Sequence, residues 1–312
     1  MVPFRNILVS LDGSALAEKA IAPALKIAET MAARADGQPV RLVLLRVVGP
    51  VALVAADPLL YDELMRMGAD EAKAYLNTVL ATLQPQGVQV EAHTVAGAAA
   101  DAIVHYAEAH DIDLIVMSSH GRTGSSRWVY GSVAEKVLHH APCATIIIRA
   151  HVDVTMFQNR RILVPLDGSP LAERALEPAL AIADAVQSDV TLLRVTAGRE
   201  PLPQSVSPSG EDIAAALDTA SAQERAEAQA YLQQIAAGRP NQPLESDVVT
   251  TSGDIADAIV SYADGHGVDL IAMSSHGRSG IGRWLHGSVA EKVLRGANCA
   301  TLIIRSPRGQ GQ

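Results

Sequence analysis

Apolar residues along this 312-residue chain recur in two rhythms, short unbroken runs and longer stretches with a helical period. In the first half, Asn6–Ser10 is a short apolar run that closes on Asp12-Gly13-Ser14, and Ser14–Ala35 has the spacing of a helix. Val40–Val48 reads as a buried strand and Tyr61–Leu83 as a helix. Val88–Val95 is a strand, Ala98–His110 a helix and Asp113–Ser118 a strand. A glycine-bounded loop follows, then a helix over Ser132–His140 and a last strand over Cys143–Arg149. The strand runs are apolar on both faces. That is the signature of a parallel sheet covered by helices on each side, a doubly wound α/β domain. Ligands of such sheets bind beyond the carboxyl ends of the strands, where the strand order reverses.

The pattern occurs twice. Residues 113–149 and 269–305 are identical at 27 of 37 positions, far beyond chance. NILVSLDGSALAEKAI (6–21) is matched by RILVPLDGSPLAERAL (161–176), and LVLLRVV (42–48) by VTLLRVT (190–196). The expected organisation is two tandem domains, residues 1–150 and 158–306, joined by residues 151–159. Residues 49–62 and 197–212 differ in length and content between the copies and are expected to be surface loops or lids.

Composition narrows the functional classes. The net charge of -9 divides evenly, about -4 over residues 1–155 and about -5 over the rest, and no basic stripe is present. A nucleic-acid partner is therefore not expected. A small anion is still compatible, because backbone N–H groups bind phosphate without net positive charge. No apolar stretch approaches the ~18 residues of a membrane span, and the first residues lack the apolar core of a signal peptide. A cytoplasmic protein is expected. Cys143 and Cys299 occupy matching places and form no metal-ligand cluster. They are expected to be small buried hydrophobes, with redox sensing as the alternative.

The candidate chemistry gathers at the predicted strand ends. Ser118-Ser119-His120-Gly121 is followed by nine residues and then Gly131-Ser132. The second half repeats this as Ser274-Ser275-His276-Gly277, nine residues, and Gly287-Ser288. A glycine lets the backbone approach a ligand closely, and a helix N-terminus offers unpaired N–H groups and partial positive charge to a phosphate. A structural alternative exists: Ser132 with Glu135, and Ser288 with Glu291, also fit a capping box. Asp12 and Asp167 stand at the mouth of the sheet, where a carboxylate can accept hydrogen bonds from a ribose or amine, help position a metal, or brace a turn. Ser14 and Ser169 fit helix N-caps. Arg122 and Arg278 are placed to reach phosphates or to lie on the surface, and His120 and His276 to line the site or to pack. Trp128 and Trp284 fall inside the nine-residue spacers. No nucleophile–His–acid set stands out, and the GxxxxGK[ST] phosphate loop is absent.

These motifs resemble those of the universal stress protein family, in its ATP-binding branch and in the tandem two-domain form. The family pattern Gly-x2-Gly-x9-Gly-Ser/Thr is met here by Ser118-x2-Gly121-x9-Gly131-Ser132 and Ser274-x2-Gly277-x9-Gly287-Ser288, with Ser replacing the first glycine in both. The resemblance implies a five-stranded parallel sheet of order 3-2-1-4-5 in each half, pairing of the domains through their last strands, and an adenine nucleotide hydrolase-like fold. It implies that Asp12, Val47, Asp167 and Val195 contact the adenosine of ATP. Gly121, Gly131, Ser132, Gly277, Gly287 and Ser288 would hold its phosphates, with Mg²⁺. Leu11, Met117, Val133, Leu166, Met273 and Val289 complete the expected binding set. The expected function is nucleotide-dependent signalling or stress response, with at most slow ATP hydrolysis. An intramolecular pseudo-dimer, a homodimer and a signalling partner belong to that expectation. An ATP-hydrolysing enzyme and a nucleotide-free interaction scaffold stay open as alternatives.

Overall fold

A computed structural model describes residues 4–35, 37–50, 58–119, 131–149, 160–198, 209–240, 242–275 and 289–305. The first half runs β1 (Asn6–Leu11), α1 (Ala15–Glu18), α2 (Ile21–Ala33), β2 (Val40–Val48), α3 (Pro58–Thr82), β3 (Val88–Ala96), α4 (Ala99–Ala109), β4 (Leu114–Ser118), α5 (Ser132–His140) and β5 (Ala144–Ile148). The second half repeats the sequence as β6 (Arg161–Pro165), α6 (Pro170–Glu173), α7 (Leu176–Val186), β7 (Asp189–Ala197), α8 (Ser209–Ala237), β8 (Leu244–Thr251), α9 (Ile255–Gly265), β9 (Leu270–Ser274), α10 (Val289–Gly296) and β10 (Ala300–Ile304). All pairings within a half are parallel.

One ten-stranded sheet results, in the order β3-β2-β1-β4-β5-β10-β9-β6-β7-β8. The halves meet at a single antiparallel pairing, Thr301 with Ile147, Leu302 with Ile146 and Ile303 with Thr145. Alternation along each strand builds two cores. Ile7, Val9, Leu42 and Leu44 face α2 and α3, while Leu8, Val43 and Leu45 face α4 and α5. The inner strands, such as β4 and β9, are therefore buried on both sides and aliphatic, whereas the outermost strands β3 and β8 are only partly buried and carry polar residues such as Glu91 and Glu245. Short Ala-rich helices such as α2, with Ala24 and Ala28 fully buried, lie close against the sheet. Among the described residues no helix is long and apolar enough to cross a membrane.

The seam between the halves also carries side chains. Arg149, only 4% exposed, donates through Nη1 to the carbonyls of Leu294 (2.9 Å), Arg295 (2.5 Å) and Ala297 (3.0 Å) at the end of α10. Its counterpart Arg305 donates through Nη1 to the Ala141 carbonyl at the end of α5, 2.8 Å away. On the opposite face of the sheet Arg34, the C-cap of α2, pairs with Asp184 of α7.

Three local expectations are corrected. The continuous helix over Ser14–Ala35 is two helices, α1 and α2, separated by a tight turn in which Ala20 N–H donates to the Ala17 carbonyl. Pro23 is the reason: in a continuous helix its missing N–H would face the Lys19 carbonyl and its ring would collide with it. Pro178 acts at the matching place before α7 continues. The second correction concerns α5. Gly131, not Ser132, is its N-cap, with φ -60° and ψ 143°, and among the described residues no side chain caps the helix. Ser132 is already the first helical residue, which places Glu135 one position beyond the capping-box site. Capping thus does not account for Ser132. Ser14 and Ser169 do cap their helices: their hydroxyls accept from the N–H groups of Ala17 and Ala172 at 3.1 Å. The long irregular stretch expected to residue 212 is also shorter, since α8 begins at Ser209.

These assignments predict unequal stability effects. Ser14→Ala should destabilise the protein by about 1 kcal/mol, the usual cost of a lost N-cap. Ser132→Ala, exposed and at no cap, should stay within about 0.5 kcal/mol of wild type. Urea denaturation followed by circular dichroism measures both.

Candidate functional site

Within each half, β2 lies on one side of β1 and β4 on the other, so the strand order reverses between β1 and β4 and again between β6 and β9. The crevice beyond their carboxyl ends is where a doubly wound sheet accepts a ligand. Three turns of chain shape it in the first half.

The first turn follows β1. Asp12 Oδ1 accepts from the Ser14 N–H at 2.9 Å and from the Ser14 hydroxyl at 2.6 Å. Gly13 sits between them at φ +82°, a left-handed conformation that glycine adopts without steric cost. The second half repeats the device: Asp167 Oδ1 accepts from Ser169 N–H at 2.9 Å, and Gly168 has φ +80°. The aspartates therefore brace the turn while standing at the mouth of the sheet.

The second is the end of β2, where Val47 packs against the core beneath α4 and α5, in company with Met117 and Val133. The third is the end of β4. Ser118 is buried there, and Ser119 donates its N–H to the Ile148 carbonyl at 2.8 Å. The Ser119 carbonyl accepts from Gly131 N–H at 2.9 Å, which ties the start of α5 to the strand end. Among the described residues no side chain caps the first-turn amides of α5, which leaves them to an anion, with the helix dipole adding partial positive charge.

In the second half a cavity of about 360 Å³ opens at the equivalent place. Leu166, Asp167, Val195, Met273, Ser274 and Val289 all line it. These are all the second-half residues expected at the site that lie within the described part of the chain. Their first-half partners Leu11, Asp12, Val47, Met117, Ser118 and Val133 occupy matching positions at strand ends and at the start of α5. The remaining expected residues, His120, Gly121, Arg122, His276, Gly277, Arg278, Gly287 and Ser288, lie outside the described residues, as do Trp128 and Trp284. The cavity lies within the range of small-molecule sites, about 300–1,000 Å³. Its walls at Val195, Met273, Val289 and Ile255 are apolar, with two carboxylates, an arginine and two serines as polar points.

Several lining residues were not anticipated. Arg194 enters the lining and donates through Nη1 to the Leu166 carbonyl at 3.2 Å. Its twin Arg46 lies 5.2 Å from the centre of the Tyr75 ring. The signal was present in the sequence, since an arginine interrupts the same apolar strand run, LLRV, in both halves. Around these arginines a second duplicated pair appears: Tyr75 donates its hydroxyl to Glu18 at 3.0 Å, and Tyr231 donates to Glu173 at 2.9 Å. Burial, and then the carboxylate at the hydroxyl, push both phenols above the ordinary tyrosine range. They tie α3 to α1 and α8 to α6 beside the sheet mouth. Glu224 of α8 also lines the cavity. The corresponding residue of α3 is Gly68, where an added Cβ would lie 3.1 Å from Val48 Cγ1. The helix over the first site is thus packed down where the second carries an acidic side chain.

The cysteines take no part in this chemistry. Cys299 is buried and Cys143 partly so, and burial pushes both thiols up to about 12. Among the described residues no group of three or more His, Cys, Asp or Glu side chains gathers as a metal site.

A duplicated doubly wound domain, with its crevice at the order reversal and an uncapped helix start beside it, defines a class: the tandem Rossmann-like proteins. The particular family follows from comparison. The universal stress protein family matches residues 3–149 and again residues 158–305, and the chain belongs to that family. It is 26% identical over 313 residues to the universal stress protein Rv2623 of Mycobacterium tuberculosis, covering 96% of both chains. It is 31% identical over 147 residues to the universal stress protein MJ0531 of Methanocaldococcus jannaschii, covering 47% of this chain and 82% of that one. Among solved structures, a universal stress protein from Archaeoglobus fulgidus superposes with a TM-score of 0.65 at 20% identity, covering 96% of this chain and 98% of its own.

The raised thiol pKa values predict silence toward alkylating and disulfide reagents. Ellman's reagent at pH 8 should release no thiol signal from the native protein and two equivalents after unfolding. Because the folded pKa lies above the ordinary value of 9.0, ionisation favours the unfolded state as pH rises. Any stability contributed by the neutral thiols is full below pH 9 and is lost between pH 9 and about 12.

Proposed function

We propose that the chain binds ATP at both strand-end sites and that nucleotide occupancy is its signalling state in a stress response. What carries the reading is the convergence of Asp167, Val195, Met273, Ser274 and Val289 on one cavity beside the start of α10. Apolar walls suit an adenine ring, Asp167 and Asp12 suit the hydroxyls of a ribose, and first-turn amides suit phosphate oxygens. The reading is strengthened at Ser132, which no longer has a capping role to explain it. A Mg²⁺ ion would be held mainly by the phosphates and water, an arrangement that needs few protein carboxylates. It would neutralise phosphate charge, and the residues of the chain would orient the nucleotide and exclude water. Any turnover is expected to be slow.

Protein purified without added nucleotide and then denatured should release adenine nucleotide, identified by ion-exchange chromatography. Mg-ATP should also perturb the fluorescence of Trp128 and Trp284. The absence of both signals would sink the reading, and fast multiple-turnover hydrolysis would replace it with an enzyme. Gly131→Glu together with Gly287→Glu places carboxylates at the helix starts. Binding of Mg-ATP should then fall beyond detection by calorimetry while the circular dichroism spectrum is kept.

A further inference from the structure

The two sites stand on opposite edges of the ten-stranded sheet, because β5 and β10 run antiparallel. The same geometry brings the carboxyl end of β5 beside the amino end of β10. A helix that precedes a parallel strand runs back across the sheet, so α10 ends near the point where β10 begins. Arg149, the residue after β5, therefore arrives at the carboxyl end of a helix that belongs to the other half. Arg305, the residue after β10, arrives in the same way at the end of α5.

We infer that Arg149 and Arg305 are crossed positioning residues, each setting the phosphate-binding helix of the opposite half. This rests on the nucleotide-binding reading above. Helices α5 and α10 span only nine and eight residues. An anchor at one end of so short a rod fixes the direction of the amides at the other. The end of α10 is held by the Arg149 guanidinium on three carbonyls, those of Leu294, Arg295 and Ala297. A cation at a helix carboxyl end also opposes the partial negative charge there. The start of α5, in contrast, is held from its own half through Gly131, Ser119 and Ile148, entirely by backbone hydrogen bonds. Ser275 N–H likewise donates to the Ile304 carbonyl at 3.0 Å. Each phosphate helix that is described in full is thus tethered at its start by its own half and clamped at its end by the other. Replacing Arg149 leaves the backbone tether of the first site in place and releases the clamp on the second.

The test separates the sites with one silencing change each. In a full-length Gly131→Glu chain, where only the second site is open, Arg149→Met should weaken Mg-ATP binding about tenfold, the scale of losing an outer-shell partner. In a Gly287→Glu chain, where only the first site is open, the same Arg149→Met should change affinity less than about twofold. Arg305→Met should give the mirror result. Arg149→Lys keeps the cation and loses the fork, so it should recover part of the loss at the second site. It also serves as the test if the methionine variant does not fold. A general loss of stability would weaken both sites alike. An effect confined to the residue's own half, equal in both halves, or absent from both overturns the inference. Failure of the unmodified chain to bind Mg-ATP at all removes the nucleotide reading itself, and the two failures are told apart by that first titration.

Discussion

The antiparallel pairing of β5 with β10 is the constraint on which the arrangement of this molecule depends. Each half taken alone would end its sheet in a strand whose backbone groups are unpaired on one side, a template for unwanted association. The pairs Thr301 with Ile147 and Ile303 with Thr145 close both edges at once. They also make the two cores continuous, since each core cluster draws residues from both halves. The pairing fixes where everything else lies: crevices on opposite edges, α2 beside α7, and each seam arginine at the end of the other half's helix.

Much of the fold was legible because its inner strands are buried on both faces. A run such as Val40–Val48 has no amphipathic ambiguity, and its bounds agree with β2. The ends of helices were harder. Pro23 broke the first helix, although the apolar spacing continues through it. The Ser132–Glu135 pattern fitted a capping box, yet Gly131 took the cap, because its N–H is already engaged by the Ser119 carbonyl and holds it in extended geometry. That contact depends on the strand end beside it, and local spacing cannot report it.

The site was legible in part for a related reason. Residues at the ends of β1, β2 and β4 are placed by the sheet, so their convergence follows from topology once the strands are known. Arg194, Glu224 and Ser275 joined the cavity without having been expected. Arg194 stood in the repeated strand but was read as part of an apolar run. Glu224 comes from a long helix whose placement over the sheet has no local signature, and its twin Gly68 shows that this position diverged between the halves. The seam arginines were hidden differently. Each closes an apolar strand and looks like a residue that has reached solvent, whereas Arg149 is 4% exposed and satisfied by carbonyls more than 140 positions away in sequence.

The structure also exchanges the weight carried by two pairs of residues. Asp12 and Asp167 were the candidates least explained by local structure, and each now has a turn to brace through Ser14 or Ser169. Ser132 seemed explained by capping and is not. An aspartate that must hold Ser14 N–H in order to cap α1 would be retained with or without a ligand, so its presence in both halves says little about binding. An uncapped helix start is different. Its first-turn amides lack intrahelical partners, and leaving such groups without any partner is costly. A small domain that twice keeps glycine and serine at that position, and supplies no capping side chain in the copy where the helix start is described, leaves those donors to water or to an anion. The argument for a phosphate therefore rests more firmly on the start of α5 than on the acidic residue across the crevice.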